Sequence, residues 1–117
     1  MHLNRLTLYT RRPLDMVAFY TKLFGYTALP EKSGIIELVP PGNGVSLMLH
    51  PLAKSQKEGQ VLVKLGFEVP DLEPAIAELQ AAGFKVSKPH QGNGYAFVNI
   101  KDPSKNTVSI TTRRLSR

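Results

Sequence analysis

The sequence has no cysteine, and its apolar runs are all short. Without cysteine the chain cannot form disulfides, a thiolate metal site or a cysteine nucleophile, and the composition fits a reducing compartment. No stretch approaches the roughly 18 consecutive apolar residues of a membrane helix, and the N-terminal residues lack the apolar core of a secretory signal. We therefore expect a cytoplasmic protein with no membrane span.

Acidic residues are also scarce, with 9 Asp and Glu against 15 Lys and Arg, which gives a formal charge of +6. A clustered basic face would bind nucleic acid through phosphate contacts. Here the arginines are scattered: Arg11-Arg12 lie in a predicted turn, and Arg113-Arg114 with Arg117 lie in a C-terminal tail. We expect a solvated basic surface rather than nucleic-acid binding.

Common catalytic motifs are missing as well. The sequence contains no glycine-rich phosphate loop, no His-Glu-x-x-His helix and no Gly-x-Ser-x-Gly elbow. The segments at residues 42–44 and 92–94, both Gly-Asn-Gly, are typical of turns. Motifs of this kind therefore assign no activity.

A length of 117 residues with 42% apolar side chains predicts a single folded domain, residues 1–117. Arg5 to Thr10 alternate between polar and apolar residues, which predicts a half-buried strand. Pro13 opens an amphipathic helix that Gly25 ends. Three shorter strands are predicted after it, at residues 26–30, 35–39 and 45–50.

The same order returns after a polar segment. Residues 54–60 carry no large apolar side chain and are interpreted as a flexible linker. A strand at 63–69, a helix capped by Asp71 and closed by Gly83, and strands at 84–87, 95–100 and 107–111 follow. This divides the chain into module one (1–53), the linker (54–60), module two (61–112) and a tail (113–117).

The repeat predicts the fold class. Each module reads as a βαβββ unit that cannot bury its sheet alone. We therefore expect an α+β fold in which two βαβββ modules form a curved mixed sheet around a cleft, with the helices outside.

Several short motifs, in this order, resemble one family. They are Phe19-Tyr20 followed by Leu23-Phe24-Gly25, the segment at residues 67–72, and the late turn Asp102-Pro103 with Asn106. Together they resemble the vicinal oxygen chelate superfamily, which includes glyoxalase I, extradiol dioxygenases, fosfomycin-resistance enzymes and bleomycin-resistance proteins. The resemblance covers nearly the whole chain.

The metal-dependent members of that family, as the resemblance implies, hold their ion with His, Gln or Glu at four positions. Those positions fall here on Arg5, Met48, Lys64 and Ser109. Guanidinium stays protonated and thioether is a poor ligand for a hard cation, so this set does not suit zinc, iron or manganese. We expect no metal and no other cofactor.

Strand alternation predicts which side chains line the cleft. The candidate ligand-binding residues are Arg5, Thr7, Tyr9, Met48, His50, Lys64, Glu68, Tyr95, Phe97 and Ser109. The same face is expected to hold Ser46, Asn99 and Thr111. Its aromatic, hydroxyl and basic groups suit a small organic ligand, and the cations favour an anionic one.

Each candidate residue also has a plainer interpretation. Arg5 and Lys64 could pair with Glu68 or Glu37 and stabilise the seam between modules. His50 could make an ordinary hydrogen bond, and Tyr95 and Phe97 could be packing residues. His2 and His90, in a terminus and a loop, are assigned no role.

The preferred hypothesis is a metal-free binding protein of the bleomycin-resistance type, without catalysis. The resemblance to the family implies a homodimer. One alternative is an enzyme of the superfamily that uses unusual metal ligands or acid–base groups such as His50, Glu68 and Lys64. The other is an interaction module whose cleft is filled by its own side chains.

Overall fold

The computed structural model describes residues 3–60 and 63–114. His2, Arg117 and the first two positions of module two lie outside the described residues. The elements, in chain order, are β1 (Arg5–Thr10), α1 (Pro13–Phe24), β2 (Thr27–Ala28), β3 (Ile36–Val39), β4 (Ser46–Pro51), β5 (Lys64–Glu68), α2 (Leu72–Ala81), β6 (His90–Gln91), β7 (Ala96–Lys101) and β8 (Thr107–Thr111). No helix within the described ranges is long and apolar enough to cross a membrane.

The strands form two four-stranded mixed sheets with matching topology. The first has the order β1-β4-β3-β2, with β1 parallel to β4, and the second has the order β5-β8-β7-β6, with β5 parallel to β8. The remaining neighbours are antiparallel. The predicted α+β class and its repeated βαβββ unit are therefore confirmed.

The chain divides into two compact units. Unit 1 contains the described residues up to Gln60 together with Asp102–Lys105, and unit 2 contains those from Val63 to Lys101 and from Asn106 to Arg114. The segment interpreted as a linker thus belongs to unit 1, and so does the turn that joins β7 to β8.

The core of unit 1 lies between α1 and one face of the first sheet. Met16 and Tyr20 of α1 are fully buried, as is Leu38, while Leu47 and Leu49 are almost so. Gly25 ends the helix with φ 71°, a left-handed conformation that glycine adopts without Cβ strain. The predicted start and end of this helix are confirmed.

Unit 2 is built in the same way around α2. Leu79 of the helix and the strand residues Leu65, Val98, Val108 and Ile110 are buried. Asp71 occupies the N-cap position but its side chain makes no capping hydrogen bond. Gly83, with φ 91°, follows the last cap residue and closes the helix as the sequence predicts.

The strand predicted at residues 84–87 is wrong, and the short strand β6 forms at His90–Gln91 instead. Ser87 does approach β7: its backbone N–H donates to the Asn99 carbonyl at 3.1 Å. The Asn99 N–H, however, donates to the Ser87 hydroxyl at 2.9 Å. A side-chain oxygen thus replaces the backbone carbonyl that a continuous ladder requires.

Candidate functional site

In unit 1, β1 and β4 present one polar face opposite the helix. The register pairs Arg5 with Ser46, Thr7 with Met48 and Tyr9 with His50. These residues are exposed or half-buried, whereas Leu8 and Leu49, which alternate with them, are buried. The predicted alternation of β1 and β4 is therefore present, and it brings five of the candidate residues onto one face.

The His50 side chain makes both a ring contact and a hydrogen bond. Its ring lies 5.1 Å from the Tyr9 ring, centroid to centroid, with the planes tilted by 55°. Its Nδ1 lies 2.9 Å from the Pro51 carbonyl oxygen. Because a carbonyl oxygen can only accept, Nδ1 carries a proton and the Nε2 lone pair of a neutral ring is directed elsewhere.

In unit 2, three aromatic rings form a row on the sheet face that carries Lys64 and Glu68. Phe97 lies at its centre, stacked on His90 at 5.0 Å and on Tyr95 at 6.3 Å, with interplanar angles of 20° and 22°. We call His90, Phe97 and Tyr95 the ring row. Near-parallel stacking of this kind stabilises aromatic pairs, and the three rings are exposed or half-buried.

Two cations lie against the ring row. Lys64 Nζ is 5.1 Å from the Phe97 centroid, and Arg113 Cζ is 5.0 Å from the Tyr95 centroid. Both distances are within the range of cation–π attraction. The row therefore combines apolar ring surface with positive charge at two points.

The other candidate residues of unit 2 differ in exposure. Glu68 is exposed, and its carboxylate lies 3.6 Å from the Arg114 guanidinium. Ser109 is opposite Gly66 and Asn99 in the sheet, but only 5% of it is exposed. The Oδ1 of Asn99 is buried and has no hydrogen-bond partner among the described residues. This part of the face thus holds an unsatisfied acceptor.

The alternative pairing of Arg5 and Lys64 with glutamates finds no support within the described ranges. The ion pairs there are Arg114 with Glu68 and Arg12 with Glu58. Lys64 lies over Phe97 instead. Both cations thus keep their charge uncompensated by a neighbouring carboxylate.

Two members of the unit 2 face were missed by the sequence prediction. His90 was assigned to a loop without a role, because the short strand β6 gives no periodic signal. Arg113 continues the alternation of β8, two positions after Thr111, so its side of the sheet could have been predicted by extending the pattern. Arg113 was missed because residues 113–117 were assigned to a tail.

The residues at the four family metal positions do not form a donor set. Arg5 and Met48 share the unit 1 face, and Lys64 and Ser109 share the unit 2 face. Residues 3–60 and 63–114 contain no group of three or more His, Cys, Asp or Glu side chains placed to hold a metal ion. The chemistry of the side chains at these positions does not fit a divalent cation.

Comparison with solved structures shows the same fold in proteins of low identity. An integron cassette protein from the mobile metagenome of a Halifax Harbour sewage outfall has a TM-score of 0.78 at 18% identity, covering 96% of this chain and 98% of its own. TnmS3, an antibiotic binding protein from Streptomyces sp. CB03234, has a TM-score of 0.77 at 20% identity, covering 94% and 93%. A bleomycin resistance determinant encoded on the transposon Tn5 has a TM-score of 0.72 at 17% identity, covering 98% and 100%.

A search of curated proteins found no significant match. A protein-family model matches residues 2–110 of this chain. That match covers both modules and agrees with the topology of the two sheets. The chain therefore belongs to the Glyoxalase/Bleomycin resistance protein/Dioxygenase superfamily.

Proposed function

We propose that this protein binds a small planar aromatic anion on the ring row of unit 2, without a metal ion. The observation that carries the proposal is the position of two cations over aromatic rings. Lys64 Nζ lies 5.1 Å from the Phe97 centroid, and Arg113 Cζ lies 5.0 Å from the Tyr95 centroid. A planar ligand gains dispersion and stacking contacts from the rings, and its anionic group is attracted by the two cations.

Two further observations support a ligand at this face. The buried Asn99 Oδ1 has no donor among the described residues, and a ligand hydroxyl or amine that reached it would supply one. Among proteins of the same fold, one is an antibiotic binding protein and one is a bleomycin resistance determinant, so sequestration of an organic molecule is compatible with this fold. The homodimeric state and the cytoplasmic location remain predictions.

Thermal-shift titration with matched probes tests the proposal. We expect 2-naphthoate to raise Tm through ligand linkage, with weaker effects from neutral 2-naphthalenemethanol and from non-aromatic cyclohexanecarboxylate. Phe97→Leu or Lys64→Gln should each weaken 2-naphthoate binding about 5- to 10-fold. Phe24→Leu is the matched control and should bind as the wild type does, because it removes a ring of unit 1 that contacts Phe19 edge-to-face and Tyr20 at a tilt.

Two results would count against the proposal. Equal Tm shifts from 2-naphthoate and cyclohexanecarboxylate would show that stacking on the ring row does not contribute to binding. A divalent ion found by elemental analysis at one per chain would contradict the metal-free part and favour the enzyme alternative.

A further inference from the structure

Unit 1 contains a separate cavity of about 280 Å³ at the carboxyl ends of the parallel strands β1 and β4. Leu49, Pro51, Leu52 and Pro13 form its apolar wall, and the polar side chains that line it include Arg11 and His50. None of these residues belongs to the ring row.

Arg11 lines this cavity, and hydrogen bonds hold its guanidinium in place. Its Nη2 donates to the backbone carbonyls of Ala53 at 3.2 Å, Lys54 at 3.4 Å and Gln56 at 2.7 Å. Its Nε and Nη1 donors have no hydrogen-bond partner in the described part of the chain. Carbonyl oxygens are neutral, so these bonds do not neutralise the guanidinium, whose charge also acts on the Glu58 carboxylate. An anionic group can therefore bind without first ordering this long side chain.

His50 supplies the complementary group. Its Nδ1–H donates to the Pro51 carbonyl at 2.9 Å and its ring rests against Tyr9, so the ring orientation is fixed. In the neutral ring, Nε2 is then an acceptor, and it can accept a hydrogen bond from a ligand donor. Arg11 lines the same cavity and would repel an ammonium donor, which favours an uncharged donor such as a hydroxyl.

The cavity volume restricts the size of the ligand. It lies just below the range of about 300–1,000 Å³ that is typical of small-molecule pockets. It equals about nine times the volume of one liquid water molecule. A molecule of a few carbon atoms fits, whereas the planar aromatic proposed for unit 2 is better matched to its open ring row.

We propose that this cavity binds a short-chain hydroxycarboxylate. The carboxylate accepts a charge-assisted hydrogen bond from Arg11, and the hydroxyl donates to His50 Nε2. The hydrocarbon part packs on Leu49, Leu52 and the prolines. The proposal is independent of the ring row, because the two sites share no residue.

Amide NMR titration with three small compounds tests this site directly. We expect 2-hydroxybutanoate to shift the amides of Gly34 and Leu52, which lie at the cavity. Butanoate lacks the hydroxyl and 2-hydroxybutanamide lacks the charge, so each should bind at least about fivefold more weakly. All three lack a ring, so failure of the aromatic site does not affect the result.

Variants separate the two polar contacts. His50→Phe keeps a ring against Tyr9 but removes Nε2, and it should bind 2-hydroxybutanoate and butanoate equally. Arg11→Gln should reduce binding of both carboxylates at least fivefold. Arg12→Gln is the matched control, because its guanidinium faces Glu58 at 3.9 Å and does not line the cavity, and it should bind as the wild type does.

The proposal is overturned if wild-type protein binds butanoate as tightly as 2-hydroxybutanoate, or if His50→Phe keeps the preference. It is equally overturned if the shifted amides cluster around Phe97 instead of the cavity. If Arg11→Gln fails to fold because the carbonyl contacts are lost, His50→Phe and the wild-type comparison still decide the outcome.

Discussion

Glu58 lies in the segment at residues 54–60, which has no large apolar side chain to pack into a core. Only 11% of its side chain is exposed, although it lies in the polar stretch at residues 54–60. A hydrogen bond from Ser104 lowers the pKa of its carboxyl, burial opposes this, and the Arg11 N–H and the charges of Arg12 and Arg11 lower it further. The segment is thus held to unit 1 by polar contacts.

This arrangement predicts a pH-dependent contribution to stability. A carboxylate whose folded pKa is depressed stabilises the fold fully above its unfolded pKa of about 4.3, and the contribution is lost as pH falls through the folded pKa. We expect Glu58→Gln to lower the free energy of unfolding at pH 7 by about 1 kcal/mol. The difference from wild type should shrink below about pH 4.

Urea denaturation at pH 7 and at pH 3 measures the effect. Glu31→Gln is the control, because Glu31 is exposed and carries no ion pair within the described residues. The same loss at both pH values would contradict an ionised, hydrogen-bonded Glu58.

Residue-level prediction from the sequence succeeded where alternation applies. Arg5, Thr7 and Tyr9 are exposed and Leu8 is buried, as the period of the strand predicts, although their role in ligand binding stays a prediction. Alternation reports the phase of one strand and says nothing about its neighbour. The stacking of His90 on Phe97 depends on the register of β6 with β7, so no sequence pattern could show it.

At the scale of elements, the turn before β7 packs against one ring of the ring row, because the Tyr95 side chain lies against Gly92. A Cβ added to Gly92 would lie 2.2 Å from the Tyr95 ring, so only glycine lets this ring pack against the backbone. Arg113 lies over the same ring. The Gly92 turn therefore positions one end of the proposed binding surface.

We expect Gly92→Ala to displace Tyr95 and to lower the free energy of unfolding by about 1–3 kcal/mol, the usual cost of overpacking. Binding of 2-naphthoate should weaken in parallel. Gly66→Ala in β5 is the matched control for stability, because a Cβ there meets no atom within 4 Å. Thermal denaturation compares the two variants, and naphthoate titration compares Gly92→Ala with the wild type. Wild-type stability and affinity in Gly92→Ala would show that the Tyr95 contact is unimportant.

Elements with strong end signals were predicted correctly from the sequence. Pro13 and Gly25 bound α1 because each satisfies a backbone requirement that is local in sequence. The wrong strand at 84–87 has a non-local cause. The Asn99 N–H of β7 donates to the Ser87 hydroxyl and not to a backbone carbonyl. This choice of acceptor depends on the position of β7, which the sequence at residues 84–87 does not encode.

At the scale of the whole molecule, the division into two units does not follow chain order. Asp102–Lys105 join β7 to β8 in sequence but belong to unit 1. There the Tyr20 hydroxyl donates to Asp102 Oδ2 at 2.7 Å, and the Ser104 N–H donates to Asp102 Oδ1 at 2.9 Å. Burial, helped by Asp102, raises the pKa of Tyr20 far above its usual value, so its hydroxyl remains a donor.

Withdrawing this turn from unit 1 would release the connection between two adjacent strands of the second sheet. We therefore expect both units to unfold in one cooperative step. Tyr20→Phe leaves a buried carboxylate without one of its donors, which should lower the free energy of unfolding by about 1–3 kcal/mol. Tyr9→Phe, at an exposed position, should have little effect.

Native-state hydrogen exchange distinguishes cooperative from independent unfolding. In Tyr20→Phe, the amides of Leu49 in unit 1 and of Val98 and Ile110 in unit 2 should lose protection by the same free energy. Retained protection at Val98 and Ile110, with loss at Leu49 alone, would mean that unit 2 stays folded when the turn is freed. The repeat in the sequence predicts two similar modules, but it does not predict that the turn between β7 and β8 belongs to unit 1.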